Sequence, residues 1–311
     1  MLTIGQERSA PTEIDVGQNA RALTFTANGE YLVTGDEKGV GVWRVKDGKQ
    51  VARMETQIGV LSLAASKNGK WIAAGTYKEL FVWNAETYEE VIKYGQGSWV
   101  FGVDFSPDST RLVIGTSHGT AIVWDLATGK QVRTLHHTTG NWVIAAKYSP
   151  RGDHIATVSD KSVRVWNSND GRLLVDIKVT VTSWHNTSLL WFNDHLFLAS
   201  DKKIEKFDAF TGSKVSEWPA PGINSLSCIT LPKHEQFIAL FAKRTITFWD
   251  TSTHNQLDLI QHPEDIHSIA FSPDDRILAI GGGGKITLST VSTVSFMLGY
   301  IVSEQIFSPR I

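Results

Sequence analysis

The sequence predicts an all-β fold of seven four-stranded antiparallel units in a stacked or radial array. The first observation is a period: Trp43, Trp83, Trp124, Trp166, Phe207, Trp249 and the smaller Leu288 fall at intervals of 40, 41, 42, 41, 42 and 39 residues. The second is that each interval holds short runs whose apolar residues alternate or cluster, bounded by Gly, Asn, Asp and Pro. The third is that helix-period stretches and charge runs are absent along the 311 residues. Units of this length cannot bury both of their apolar faces alone, so they must pack on one another.

The stretch from Asn141 shows one unit. NWVIAAKY is a mostly apolar run, SPRGD a turn, and HIATVS a second strand. DKS turns the chain into VRVW, which alternates with period two, and NSNDG leads to a fourth strand, RLLVDIK. The first turn recurs as FTANG (25–29), ASKNG (65–69), FSPDS (105–109), YSPRG (148–152), TLPKH (230–234) and FSPDD (271–275). The turn after the third strand recurs as KDGK (46–49), ATGK (127–130), NDGR (169–172) and TGSK (211–214). Gly, Asn and Asp supply positive φ or cap their own turn.

On these residues the chain resembles WD40-repeat proteins over about residues 12–290, and the segment 105–136 is close to a full repeat of that family. The terminal Trp-Asp pair survives at Trp124-Asp125 and Trp249-Asp250 and is altered elsewhere, for example to Trp83-Asn84 and Phe207-Asp208. The resemblance implies a degenerate seven-bladed β-propeller occupying the whole chain as one domain, with repeats at about 17–54, 57–94, 97–135, 140–177, 182–218, 222–260 and 264–290. It also implies a tetrad of strand-c Trp, strand-b Ser or Thr, a His before strand a and an Asp in the b–c turn. Trp166, Asp160 and His137 form the fullest set, Asp36 or Glu37 keeps the acid in blade one, and His262 fits the histidine position of blade seven. Blades two, three and six carry Tyr77, His118 and Lys243 where the acid would be. Ring closure falls to residues 12–16 or to the surplus 291–311, whose VSFMLGYIV run is strand-like.

Hydrophobic content is 41%, charged content 20% and net charge −2, which suits a folded chain without the basic stripe of a nucleic-acid binder. Cys228 is the single cysteine, so no internal disulfide forms, as expected in a reducing compartment. No run reaches the roughly 18 apolar residues of a membrane span, and the N-terminus lacks a signal-peptide core. The expectation is an intracellular protein, cytoplasmic or else nuclear, that binds neither nucleic acid nor membrane. Oligomeric state is left open.

Tests for chemistry fail. The ten histidines show no HExxH pattern and have no cysteine partners. Gly281–Gly284 with Lys285 lacks the earlier Gly and the following Ser or Thr of a phosphate loop, since Ala279 and Ile286 stand there. Cys228 lies in an apolar run, and no nucleophile elbow exists. No catalytic residue, metal or cofactor is implied, and the chain is not expected to be an enzyme.

The resemblance places partner contacts on the narrow top face, at positions four and six residues before the first-strand aromatic. They read Asn19 and Arg21, Gly59 and Leu61, Trp99 and Phe101, Trp142 and Ile144, His185 and Thr187, Asn224 and Leu226, and Asp265 and His267. Trp99, Phe101 and Trp142 on adjacent blades form a candidate aromatic patch, since large rings dominate binding energies. The alternative is that these rings bury one another. Arg21 and Asp265 would add a polar rim, and Trp184 would extend the patch. The expected function is a non-catalytic scaffold that binds a protein or peptide, with a small-ligand or carbohydrate binder next and a propeller-based enzyme last.

Overall fold

The computed structural model describes residues 13–95, 97–137, 141–181, 188–200, 203–220, 229–230 and 237–290. Among them are 28 strands and no helix, paired into seven four-stranded antiparallel sheets. The sheets are the blades of a seven-bladed propeller. In blade three, strand a is Val100–Phe105, b Arg111–Thr116, c Thr120–Asp125 and d Lys130–His136, hydrogen-bonded in that order. The a strands of successive blades touch around the axis, from blade seven across blade one to blade six. This topology puts the d–a and b–c connections at one end of the ring, the upper face, and the a–b and c–d turns at the other.

Alternation along each strand explains why one sheet serves two cores. In blade three, Leu112, Ile114 and Trp124 pack with Leu80, Val82 and Ile92 of blade two. The intervening Val113 and Val123 pack with Ile155 and Trp166 of blade four. Each such side chain contributes about 1.5–3 kcal/mol on burial, so the seams hold the ring together.

The periodic aromatic also marks a β-bulge. In blades one to six the c–d ladder shifts register immediately before Trp43, Trp83, Trp124, Trp166, Phe207 and Trp249. A bulge increases local twist, which a blade needs to wrap its neighbour. Leu288 does not belong to this series. Its pairing partner is Ala279, and both pack into the seam with blade one beside Trp43. Ser289 lies opposite Leu278, the position that a Trp occupies opposite Leu32 in blade one and Leu112 in blade three.

The fourth strand of blade seven is Glu13–Asp15, paired with Thr287, Ile286 and Lys285. Ile14 is 2% exposed in the same core as Ile286 and Leu288. The seam is further tied by Ser268 Oγ, which donates to the Ala20 carbonyl at 2.8 Å. The 291–311 segment lies outside the described residues.

Of the expected tetrads, blade four keeps three members. Trp166 Nε1 donates to Thr157 Oγ1 at 2.8 Å, and His137 Nε2 is 2.6 Å from the same oxygen. No bond joins Asp160 to His137 among the described residues; Ser162 Oγ lies 3.5 Å from His137 Nδ1 instead, and Asp160 Oδ1 is buried without a partner. Burial, aided by the Arg164 charge, pushes the His137 imidazole down to about 4. In blade one, Trp43 Nε1 donates to Thr34 at 3.0 Å, and Asp36 caps the b–c turn through Lys38 N and Gly39 N while pairing with Arg53. His262 Nε2 lies 3.1 Å from Thr287 Oγ1, which gives it a structural role.

Candidate partner-binding face

The entry to strand a aims side chains at the axis. In blades two, three and seven the a–b ladder skips one residue, between Val60 and Ser62, Val100 and Gly102, and Ile266 and Ser268. The skipped residues are Leu61, Phe101 and His267, and a bulge re-aims its extra side chain. Together with Arg21 and Ile144 they line an axial cavity of about 410 Å³. All five were expected to be solvent-facing contacts. For Phe101 and Ile144 the structure differs: they are 9% and 8% exposed and belong to a core shared with Val158 and Leu189. The bulge turns Phe101 inward, and Ile144, whose N–H donates to the Val158 carbonyl, packs into the same core, where large apolar groups are more stable than at the rim.

The residues two before them stay higher. Trp142 is 38% exposed and Trp99 is half-buried. The rings pack on one another yet keep an open side. The Trp99 and Trp142 rings lie 5.4 Å apart, Trp99 and Phe101 5.7 Å, and Phe101 and Trp142 5.3 Å and nearly parallel. These are favourable aromatic separations. Tyr77 extends the group: its ring meets Trp99 edge-on at 5.1 Å.

Backbone contacts fix these rings. Ser117 N donates to the Trp99 carbonyl at 3.0 Å and Ser117 Oγ accepts from Trp99 N at 3.1 Å. The strand-b ends supply space. A Cβ on Gly75 would lie 2.5 Å from the Val100 carbonyl, and one on Gly115 would lie 2.6 Å from the Val143 carbonyl. Glycine at each position lets the entry of the next blade, carrying Trp99 or Trp142, sit directly on the strand.

A polar arm joins the aromatic group to blade one. Arg21 donates to the Tyr77 hydroxyl at 3.1 Å and to Glu37 Oε1 at 2.6 Å. The chain Glu37–Arg21–Tyr77–Trp99–Trp142 therefore crosses blades one to four at the channel mouth. Sequence reasoning singled out its Arg and both Trp residues but missed Tyr77 as the link. The available signal was that Tyr77 replaces the b–c turn acid. Asp265 instead pairs with Arg244 at 3.1 Å, and Asn19 Oδ1 accepts from Gly284 N at 3.1 Å. Asn19, Asp265 and His267 are exposed. His185, together with Trp184, Thr187, Asn224, Leu226 and Cys228, lies outside the described residues.

Comparison with known proteins agrees with the architecture. The model of the WD domain, G-beta repeat, matches residues 254–288. The chain carries a WD repeat. A second family model, Nucleolar protein 10-like, N-terminal domain, matches residues 83–207 of this WD40 propeller. Relatives include the serine-threonine kinase receptor-associated protein of Gallus gallus, 24% identical over 60% of this chain and 53% of that protein. The guanine nucleotide-binding protein subunit beta of Zea mays is 21% identical over 60% and 54%, and the small ribosomal subunit protein RACK1y of Oryza sativa subsp. japonica is 25% identical over 49% and 44%. The WD40 chain thus spans about half the length of the curated relatives it matches. Among the described residues no helix is long and apolar enough to cross a membrane.

Proposed function

We propose that this propeller is a non-catalytic interaction platform that holds a peptide or protein segment on its upper face. The observation that carries the reading is the cross-blade group of Tyr77, Trp99 and Trp142, packed yet open to solvent at the channel mouth. Rigid rings already held in place lose little entropy on binding, and aromatic anchors contribute most of the affinity at interfaces. The axial cavity beneath them is deep enough to accept a side chain, while Arg21 and Glu37 offer a charged edge to the partner's flank. The named relatives are a receptor-associated protein, a subunit of a nucleotide-binding protein and a ribosomal-subunit protein. Membership of protein assemblies is what their names share, and it supports the same role here. The names of these relatives and of the nucleolar family model support a place in the cytoplasm or the nucleus.

The test is co-purification with the double variant Trp99→Ala, Trp142→Ala, with thermal unfolding as the fold control. Removal of two hot-spot rings should reduce recovery of the partner at least about tenfold. Undiminished recovery by a folded variant would remove the upper-face reading. A small-ligand reading rests on the 410 Å³ cavity. It predicts a rise in melting temperature that grows with concentration of an added metabolite or sugar.

A further inference from the structure

On the lower face, the a–b turn of one blade rests on the turn before it at two seams. At the seam from blade three to blade four, a Cβ on Gly152 would lie 3.1 Å from the Pro107 ring; at the seam from seven to one, a Cβ on Gly29 would lie 3.4 Å from Pro273. Blade five departs from this pattern. Its strands Ser188–Phe192 and His195–Ser200 are joined by Asn193 and Asp194 alone, two residues where blade four has five, 149–153. The shortened turn leaves a recess of about 330 Å³ beside Pro150.

The recess has an aromatic wall and an acidic rim. Phe210, in the c–d turn of blade five, is 49% exposed. The His154 ring meets it edge-on at 5.4 Å and lies 6.2 Å from the Trp191 ring. At the position of His154 in the preceding blade, Arg111 spans the seam to the Ser168 carbonyl at 3.3 Å; here the imidazole meets Phe210 edge-on instead. Asp153 and Asp194 border the opening, with Arg151 the one cation among its described lining residues. Asp153 is held by Ser149 Oγ at 2.8 Å and by His154 Nδ1 at 2.8 Å. Asp194 lies exposed at the tip of the shortened turn.

We propose that this recess binds a partner segment bearing an arginine or lysine, seated where the missing turn would lie, with its cation against Asp194 and over the open face of Phe210. A peptide turn is what fills the matching space at the seams from blade three to four and from seven to one, and the rim carboxylates with an exposed ring favour a cation. The site is at the opposite end of the ring from the channel mouth, so one chain has two faces on which to hold different segments at once. It does not depend on the upper-face reading.

Chemical-shift titration of the isotope-labelled full chain with the blocked peptide acetyl-Gly-Arg-Gly-amide tests this, with acetyl-Gly-Gln-Gly-amide as the neutral control. The arginine peptide should shift the Trp191 indole and Phe210 signals saturably, and Phe210→Ala and Asp194→Asn should each weaken its binding at least about threefold, as expected for one exposed cation–π contact or one charge. Replacing Asn193-Asp194 with a copy of the five-residue blade-four turn should abolish it, while Trp99→Ala with Trp142→Ala leaves it unchanged. If the turn copy does not fold, the two point variants decide. Equal shifts from the glutamine peptide, or full arginine binding by both Phe210→Ala and Asp194→Asn, would overturn the proposal.

Discussion

At the scale of single residues, His137 shows how a family framework is kept in part. Its imidazole is buried, bonded to Thr157 and displaced from 6.5 to about 4. A base with a depressed folded value is neutral in both states above 6.5. Below that the unfolded chain takes up a proton that the folded chain refuses, so stability falls as pH drops and levels off near 4. The full loss is roughly 3 kcal/mol from the size of the displacement. Urea midpoints at pH 7.5 and 4.5 should therefore differ for the wild type and differ much less for His137→Gln. An equal difference in both proteins would place the pH sensitivity elsewhere. The presence of His137 and Trp166 in one set was legible from their place in the repeat. The substitution of Ser162 for Asp160 was not, because the two stand two residues apart where the b–c turn enters strand c and only geometry separates them. Trp124 was equally legible as a strand-end ring, yet its indole N–H has no acceptor among the described residues. The position matching Thr34 and Thr157 holds Ile114 there, a difference visible in the sequence once the register is known.

At the scale of elements, ring closure and the strand entries decide the geometry. The closing strand contributes three residue pairs and one fully buried side chain. Ile14→Ala should cost about 2–4 kcal/mol by removing core volume at the seam. Glu13→Ala, which breaks only the exposed pair with Lys285, should change stability by less than about 0.5 kcal/mol. Equal costs in denaturant melts would show that Ile14 does not hold the seam. Gly115→Ala would press a methyl against the Val143 carbonyl. It should cost about 1–3 kcal/mol as an overpacked contact and move Trp142, seen as a changed near-ultraviolet circular dichroism signal. The period and the turn clusters made the four-strand unit readable without structure. The entry bulges were hidden, because one extra residue before a strand leaves no mark on composition. That is why Phe101 was read as outward-facing when it points at the axis. The short blade-five turn was in plain view, since His195 follows Phe192 after only Asn193 and Asp194, but its consequence appears only when the neighbouring seams show what is missing.

At the scale of the whole molecule, seven small sheets share their cores with both neighbours, so rigidity comes from the closed circle and variation is free at the two ends. The upper end gathers Tyr77, Trp99 and Trp142 from three blades onto one mouth, which no single repeat could do. Charge is nearly balanced, with 30 basic and 32 acidic residues, so a partner held there as proposed would be recognised by shape and apolar area more than by long-range attraction. The proposed working surface is this mouth. Its most direct measurement is photo-crosslinking in the native host, with p-benzoylphenylalanine placed at Trp142 and, as a control, at the exposed Leu257 on the outer strand of blade six. Position 142 should give a discrete crosslinked protein and position 257 none. Crosslinking from 257 with none from 142 would contradict it.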